Sequence, residues 1–529
     1  MKDLLFFYNY ILARKRFYLP VLLYAVVGYS FSIYNRTVNI DDLMREFNIG
    51  SGNRMLSGRW GFIIWNKLFG INAVYDPFID RFLAIILLIT AAILLCYILY
   101  TIGGEKRVIP YTLTASMFVS YPLFNEIWYY TGANWVVTGN ICLVSLAILI
   151  SRSSLQFGYK TLYASLLLIL PVSSYETSVF YSVTLICIVL YYEYIQKGYE
   201  IVELLKKCGC YFSSLILAIV YRFLISSLIN SYLGLQYTGG GATGIKWTED
   251  SFFHVIKCVV GFNIVNYGLS ALVYLPVFVF LLMSLIFFLH FLLPMENKGT
   301  KFFLGGVIFL SLFSQSLLQG IELSYRHAQT LILFVSFVTY QLCLMYNTEK
   351  RRIIVYCCLF LLCWHQAVYI NRLNGLNDLR SNNETALIHQ IGSRLVSEFE
   401  SKPVVFVGSY QMGKYITDHV SVDESTWNGR LYYLIYDNLL AKVERPHKYI
   451  SSNVNSATAD HHQVQQLFNY FGYDIKTPYQ FKGNVEEFTE ETKIMEDEAN
   501  QIVREKGIKP YHIYDNGEYI IVNLGGINI

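Results

Sequence analysis

Residues 82–100 read FLAIILLITAAILLCYILY, a run without one acidic or basic side chain. A helix that crosses the hydrocarbon core of a bilayer needs about 20 mainly apolar residues, and this stretch meets that need. Working outward, similar runs lie near 17–34, 108–122, 133–150, 161–175, 179–195, 208–228, 271–293, 302–319, 328–346 and 353–370. The two runs that flank Pro171 are the weakest. Composition agrees: 54% of the chain is hydrophobic and 15% charged, against about 25% charged in soluble domains. The expected fold class is a polytopic α-helical membrane protein of about eleven transmembrane helices, with a small C-terminal α/β domain. The net charge of +3 and the lack of a dense basic tract argue against a nucleic-acid partner.

Lys and Arg orient the chain, because cytoplasmic loops are enriched in them. Lys2, Arg14, Lys15 and Arg16 precede the first run. On the same side fall Lys106 and Arg107, Arg152 and Lys160, Lys197, Lys206 and Lys207, Lys298 and Lys301, and Lys350, Arg351 and Arg352. The opposite loops near 122–132 and 171–178 carry neither residue type. The N-terminus is therefore expected in the cytoplasm, the first run as an uncleaved anchor, and residues 371–529 outside. The expected division is 1–370 as the membrane domain and 371–529 as a soluble extracytoplasmic domain.

Two long outer loops, 35–81 and 229–270, each hold a segment read as a helix lying in the headgroup plane. In 54–69, Leu56, Trp60, Ile63, Ile64 and Leu68 recur at helical spacing between Arg54, Arg59 and Lys67. In 251–268, Phe252, Val255, Val259 and Phe262 form one stripe, His254 and Lys257 another. Each reads as a plain surface strap or as the wall of a lipid-access groove. The tract 239–244, GGATG with its leading Gly239, reads as a loop tip; without a preceding strand or a Lys-Ser/Thr ending it is no phosphate loop.

In the C-terminal part, Ile388, Ile391, Leu395 and Phe399 predict an amphipathic helix. Val404–Val407, closed by Gly408, predicts a buried strand. Further helices are expected at 431–440 and near 485–506, and a hairpin over 511–522 around Asn516-Gly517. The ten cysteines all precede residue 371 and lie mostly in apolar runs, where they read as small core residues. His461 and His462 are adjacent and read as exposed, and no metal site is expected there.

Charged groups held against a membrane are functional candidates by default. On the expected outer face the carboxylates that stand out are Asp41 and Asp42 in NIDDL, Glu126 in YPLFNEIWYY and Glu176 in PVSSYETS. A carboxylate there can take a proton from a substrate hydroxyl. Each has a plainer reading: Asp41 or Asp42 as the N-cap of a helix starting near Leu43, Glu126 as a solvated loop residue, Glu176 as a partner of helix ends. The cationic complement is Arg222 in VYRFLI and Arg326 in SYRHA, with Arg59 and Arg36 behind them. Arg grips phosphate bidentately, or snorkels to lipid headgroups.

NIDDL, SGRWG, YPLFNEIWYY, SSYET, SYRHA, the late VQQLFNYFGYDIKTP and the closing hairpin together resemble the polyprenyl-phosphate-dependent, serotype-converting glucosyltransferases that modify bacterial O-antigen, within the GT-C superfamily. The resemblance implies a GT-C-like fold in the bacterial cytoplasmic membrane. The implied donor is undecaprenyl-phosphate glucose or a close relative, and the implied acceptor a surface polysaccharide or its lipid-linked precursor. It implies that Asp41 or Asp42 is the base, since neighbours in an extended chain point opposite ways. Glu126 or Glu176 would assist, and Arg326, Arg222 and Arg59 would hold the donor phosphate. Displacement would invert the anomeric centre. A divalent cation such as Mg or Mn is compatible with the paired aspartates but not required.

Three other classes compete, one of them a non-enzymatic membrane scaffold with the soluble domain as its binding module. A lipid-linked sugar transporter would place charges near the bilayer midplane and often show inverted repeats, and no repeat is visible. A glycan polymerase would lean on outer Arg and His rather than on early carboxylates.

Overall fold

The structure is a computed structural model. It describes residues 2–35, 37, 58–69, 77–233, 245–272, 274–291, 297–321, 325–346, 348–399, 402–408, 461–478, 480–482, 485–487 and 490–525. Asp41, Asp42, Arg36, the tract 239–244 and the expected helix 431–440 lie outside the described residues. The chain divides into two compact units, the first ending at Arg372 and the second taking up the chain from Leu373.

The first unit is all-helical, and the last of its helices continues past Arg372 into the second unit. Its helices are α1 (Lys2–Arg14), α2 (Leu19–Tyr34), α3 (Trp60–Leu68), α4 (Pro77–Gly103), α5 (Ile109–Ser120), α6 (Asn125–Trp128), α7 (Thr131–Ser151), α8 (Phe157–Ser174), α9 (Thr177–Lys197), α10 (Ile201–Leu233), α11 (Phe252–Tyr267), α12 (Leu275–His290), α13 (Lys298–Leu312), α14 (Ser314–Gln319), α15 (Gln329–Met345) and α16 (Glu349–Glu398). All eleven predicted runs contain helix. Among the described residues, six helices are long and apolar enough to cross a membrane, and a seventh counts if α1 and α2, bent by 78° at their junction, act as one. The sequence-based count of eleven differs from this because α5, α12, α13 and α15 are short and α8 does not qualify, whereas α11, expected to lie in the headgroup plane, does. With 12 residues, α5 spans only about 18 Å, and it is buried on nearly every side.

α9 is the hub. It packs against α4, α7, α10, α13 and α15, and most of its side chains are buried. Close to its C-terminal end, buried Glu193 pairs with Arg152 Nε at 3.1 Å and with Lys207 Nζ at 3.1 Å. Arg152 also donates to Thr101 Oγ1 of α4 at 2.8 Å, and Lys207 to the Tyr199 hydroxyl at 3.1 Å. This one carboxylate therefore ties together α4, α9, α10 and the end of α7 at the face that bears the basic loops.

Two segments differ from their expected form. α3 buries Trp60, Gly61, Phe62 and Trp65 and leaves Ile64 and Leu68 exposed. Trp65 Nε1 donates to Asn140 Oδ1 at 2.9 Å, and its ring meets Trp135 edge-on at 5.9 Å. α3 is thus docked into the bundle by its tryptophans, because an indole buries large area while its N–H keeps a partner; of the stripe read from sequence Trp60 is buried, whereas Ile64 and Leu68 face away. α11 is helical as expected, but with the turn after it is long and apolar enough to cross a membrane. Of its predicted stripe Val255 and Val259 are buried, whereas Phe252 is exposed.

α16 runs unbroken for 50 residues, so the expected last span and the expected amphipathic helix at 388–399 are one element, and the expected boundary at 370 falls inside it. Asn374, Asn377, Arg380, Ser381, Glu384, Ile388, Ile391 and Leu395 are all buried and keep the spacing of a single helix face. The second unit adds β1 (Val404–Val407), α17 (His461–Tyr470), β2 (Gln480–Lys482), β3 (Val485–Glu487), α18 (Glu490–Glu505), β4 (Ile513–Asp515) and β5 (Ile520–Asn523). β5 is the middle strand, parallel to β1 and antiparallel to β4. Val404, Phe406, Ile520 and Val522 face the buried side of α16 and α17, while Val405, Val407 and Ile521 face Ala499 and Val503 of α18. Sheet positions covered on both faces explain the unbroken apolar run of β1. The hairpin turn is held by Asn516 Oδ1, which accepts from the Glu518 and Tyr519 amides at 3.0 and 2.8 Å.

Candidate functional site

The end of the first unit opposite the basic loops is built by three chain reversals. In the first, Pro122 forces the preceding Tyr121 into an extended conformation and ends α5 there. A short turn at Pro122–Phe124 leads into α6, which carries Glu126. In the second, α8 runs through Pro171 to Ser174, Tyr175 is extended, and Glu176 stands at the N-cap of α9. A negative charge is favoured there by the helix dipole. The third is the turn Tyr325–His327 that precedes α15; it packs against α6.

Glu176 does not cap its own helix, which frees its carboxylate for side chains. Arg59 grips it with Nε at 3.1 Å from Oε1 and Nη2 at 2.9 Å from Oε2, and Arg222 Nη2 of α10 reaches Oε1 at 3.3 Å. Burial works to raise its pKa, but Arg59 and Arg222 outweigh burial and hold the carboxylate below its usual range. The reach of Arg59 depends on Gly61. A Cβ there would collide with Ser173 Oγ and lie 2.9 Å from the Leu170 carbonyl oxygen, so the glycine lets α3 lie against the end of α8.

Glu126 is half-buried. Burial pushes its pKa up to about 8 against the pull of Arg326, so at neutral pH it holds its proton. The Arg326 guanidinium stacks over Tyr130 at 4.8 Å. Tyr175 joins the two carboxylate neighbourhoods. Its ring lies parallel to His327 at 5.9 Å and beneath Arg59 at 5.5 Å. Burial raises its hydroxyl pKa to about 12, while Arg326 and Arg59 both pull it down. Asp80 and Arg81, at the start of α4, are buried as well, and Arg81 donates to the Ser32 carbonyl.

Next to Arg222 a cavity of about 530 Å³ opens between Gly58 and one face of α10. Among the described residues no three His, Cys, Asp or Glu side chains converge where they would hold a metal ion.

A family model described as Glucosyl transferase GtrII matches residues 30–340. The chain belongs to this family. It is a glycosyltransferase, and the match spans α3 to α14 and nearly all of α15. No curated protein and no solved structure matches the chain.

In this GtrII glucosyl transferase, five of the predicted site residues, Glu126, Glu176, Arg59, Arg222 and Arg326, gather at one end of the helices. Asp41 and Asp42 lie outside the described residues. The sequence reading singled out neither Tyr175, Tyr130 nor His327, although each sits inside a quoted motif, Tyr175 beside Glu176, His327 beside Arg326 and Tyr130 one helical turn after Glu126. The usable signal was an aromatic next to each charge, which in a membrane-facing turn shields and orients the ion.

Proposed function

We propose that this glucosyl transferase moves glucose from a polyprenyl-phosphate donor to a surface polysaccharide or its lipid-linked precursor, at the outer face of a bacterial cytoplasmic membrane. The N-terminus lies in the cytoplasm and the second unit outside. The observation that carries the reading is the charge set around Tyr175. Two arginines share one carboxylate and a third stands beside a carboxyl whose ionisation burial disfavours, so the set keeps an excess of positive charge. Such an excess favours an anionic lipid phosphate and stabilises it further as it leaves.

In this mechanism Asp41 or Asp42 takes the proton of the acceptor hydroxyl, and Glu126 is the second proton-handling group. The hydroxyl oxygen attacks the anomeric carbon, the bond to the phosphate oxygen breaks, and the leaving phosphate keeps the electron pair under Arg222, Arg59 and Arg326. One displacement inverts the anomeric centre. Glu176 serves here as the counter-ion that fixes two arginines, since a carboxylate held below its usual pKa is a weak base.

The test is transfer by the full-length protein in lipid vesicles, supplied with synthetic polyprenyl-phosphate glucose and acceptor polysaccharide. Product anomers are assigned by NMR, and Asp41→Asn and Asp42→Asn run beside wild type. The expected result is an inverted product and loss of transfer in one aspartate variant that still accumulates in the membrane. Retained configuration, or two fully active variants, overturns the mechanism.

A further inference from the structure

The cavity beside Arg222 has a polar wall that the charged cluster does not use. Arg222, Ser226 and Asn230 are spaced four residues apart along α10, and Phe223, Ser227 and Ser231 form the parallel row, so both rows lie on one helix face and line the cavity. A volume of about 530 Å³ falls within the range of small-molecule sites, about 300–1,000 Å³. Ser226 is engaged, accepting from Trp60 Nε1 at 3.2 Å. The Oδ1 of Asn230 is shielded from solvent and has no hydrogen-bond partner. A shielded acceptor without a donor is unfavourable, and a ligand hydroxyl would satisfy it.

We infer that this face of α10 reads the hydroxyls of the transferred sugar, with the donor phosphate at Arg222 and Asn230 as a specificity-determining residue. The inference rests on the donor proposed above. Arg222 and Asn230 are separated by about 12 Å along the helix, so a phosphate and the ring attached to it lie along the stripe rather than across it. Phe223 supplies an apolar wall for the less polar face of the ring, and Ser227 and Ser231 stand at the exposed mouth. A site that pairs a buried acceptor with one substrate hydroxyl rejects analogues that lack it, because the acceptor is then left unpaired.

The experiment measures kcat/KM of the full-length protein in vesicles with synthetic polyprenyl-phosphate glucose and with donors deoxygenated or epimerised at each ring hydroxyl in turn. Wild type is expected to discriminate at several positions. Asn230→Ala is expected to lose up to about tenfold of the discrimination at one position and to keep it at the others. Asn230→Asp, which retains an acceptor oxygen, keeps the wild-type pattern, as does Leu228→Ala on the exposed side of the same helix. If Asn230→Ala does not accumulate, Ser227→Ala and Ser231→Ala replace it, and a shift at one position in either supports the subsite. Transfer by wild type with unchanged patterns in the cavity variants overturns this inference alone. Failure of wild type to use any polyprenyl-phosphate donor overturns the donor and the subsite together.

Discussion

Helix α9 carries two carboxylates that look alike on paper. Glu176 stands at its start and Glu193 near its end, about 25 Å apart along the axis. Each is held by two cations, and each pair of cations includes one from α10: Arg222 for Glu176, Lys207 for Glu193. Their surroundings differ. The Glu193 side chain is 1% exposed, and its cations are further tied to Thr101 and Tyr199. The Glu176 side chain is 13% exposed and lies beside tyrosine and histidine rings and an open cavity. The same ion-pair motif serves as a structural tie at one end of the helix and as the frame of a site at the other. Access, not charge, separates them.

That contrast breaks most readily at Glu193. Glu193→Ala leaves two cations without their buried partner, and is expected to cost about 3–5 kcal/mol. The expected readout is loss of protein from the membrane fraction or a lowered thermal midpoint, with no specific change in transfer by what remains. Glu176→Gln should do the opposite: near-normal accumulation, with transfer down by about 100-fold, the scale of removing one preorganised electrostatic contact in a reaction site. If the two variants behave alike, the contrast is void. Gly61→Ala sharpens it further. The added methyl group pushes α3 off α8 and takes Arg59 from Glu176, so transfer should fall about tenfold while the Glu193 end stays intact.

The smallest effect concerns pH. Glu126 has its pKa raised to about 8, so its carboxylate form grows in as pH rises from 7 to 9. If it accepts a proton during transfer, the rate of wild type climbs by several-fold over that window and levels above pH 8. Glu126→Gln is expected to be slower and flat there. A wild-type profile that falls through pH 8 assigns Glu126 the role of proton donor instead.

The apolar helices were legible because a run such as 82–100 admits few alternatives. The turn holding Glu126 was legible for a local reason, since Pro122 marks where α5 ends, whereas α8 runs through Pro171 to Ser174 before the turn holding Glu176. What sequence could not show was pairing. Nothing near Arg59 points to a carboxylate 117 positions along, and Gly61 gains its meaning only against Ser173. α3 misled because its exposed Ile64 and Leu68 are as apolar as its buried Trp60 and Trp65, so hydrophobic period alone did not tell its two faces apart. α16 misled for the reverse reason. Its buried stripe changes from apolar residues to Asn374, Asn377, Arg380 and Glu384, and the return of polarity was read as the start of a separate domain where helical period continued.

The middle position of β5 has a consequence for biogenesis. β1 leaves the ribosome early, yet its only strand partner among the described residues begins at Ile520. Until that segment has been made, Val404–Val407 is an unpaired apolar edge. The second unit therefore cannot complete its sheet before Ile520–Asn523 has been made, and a chain halted shortly before Ile520 would present a sticky strand to the quality-control machinery rather than a nearly finished domain.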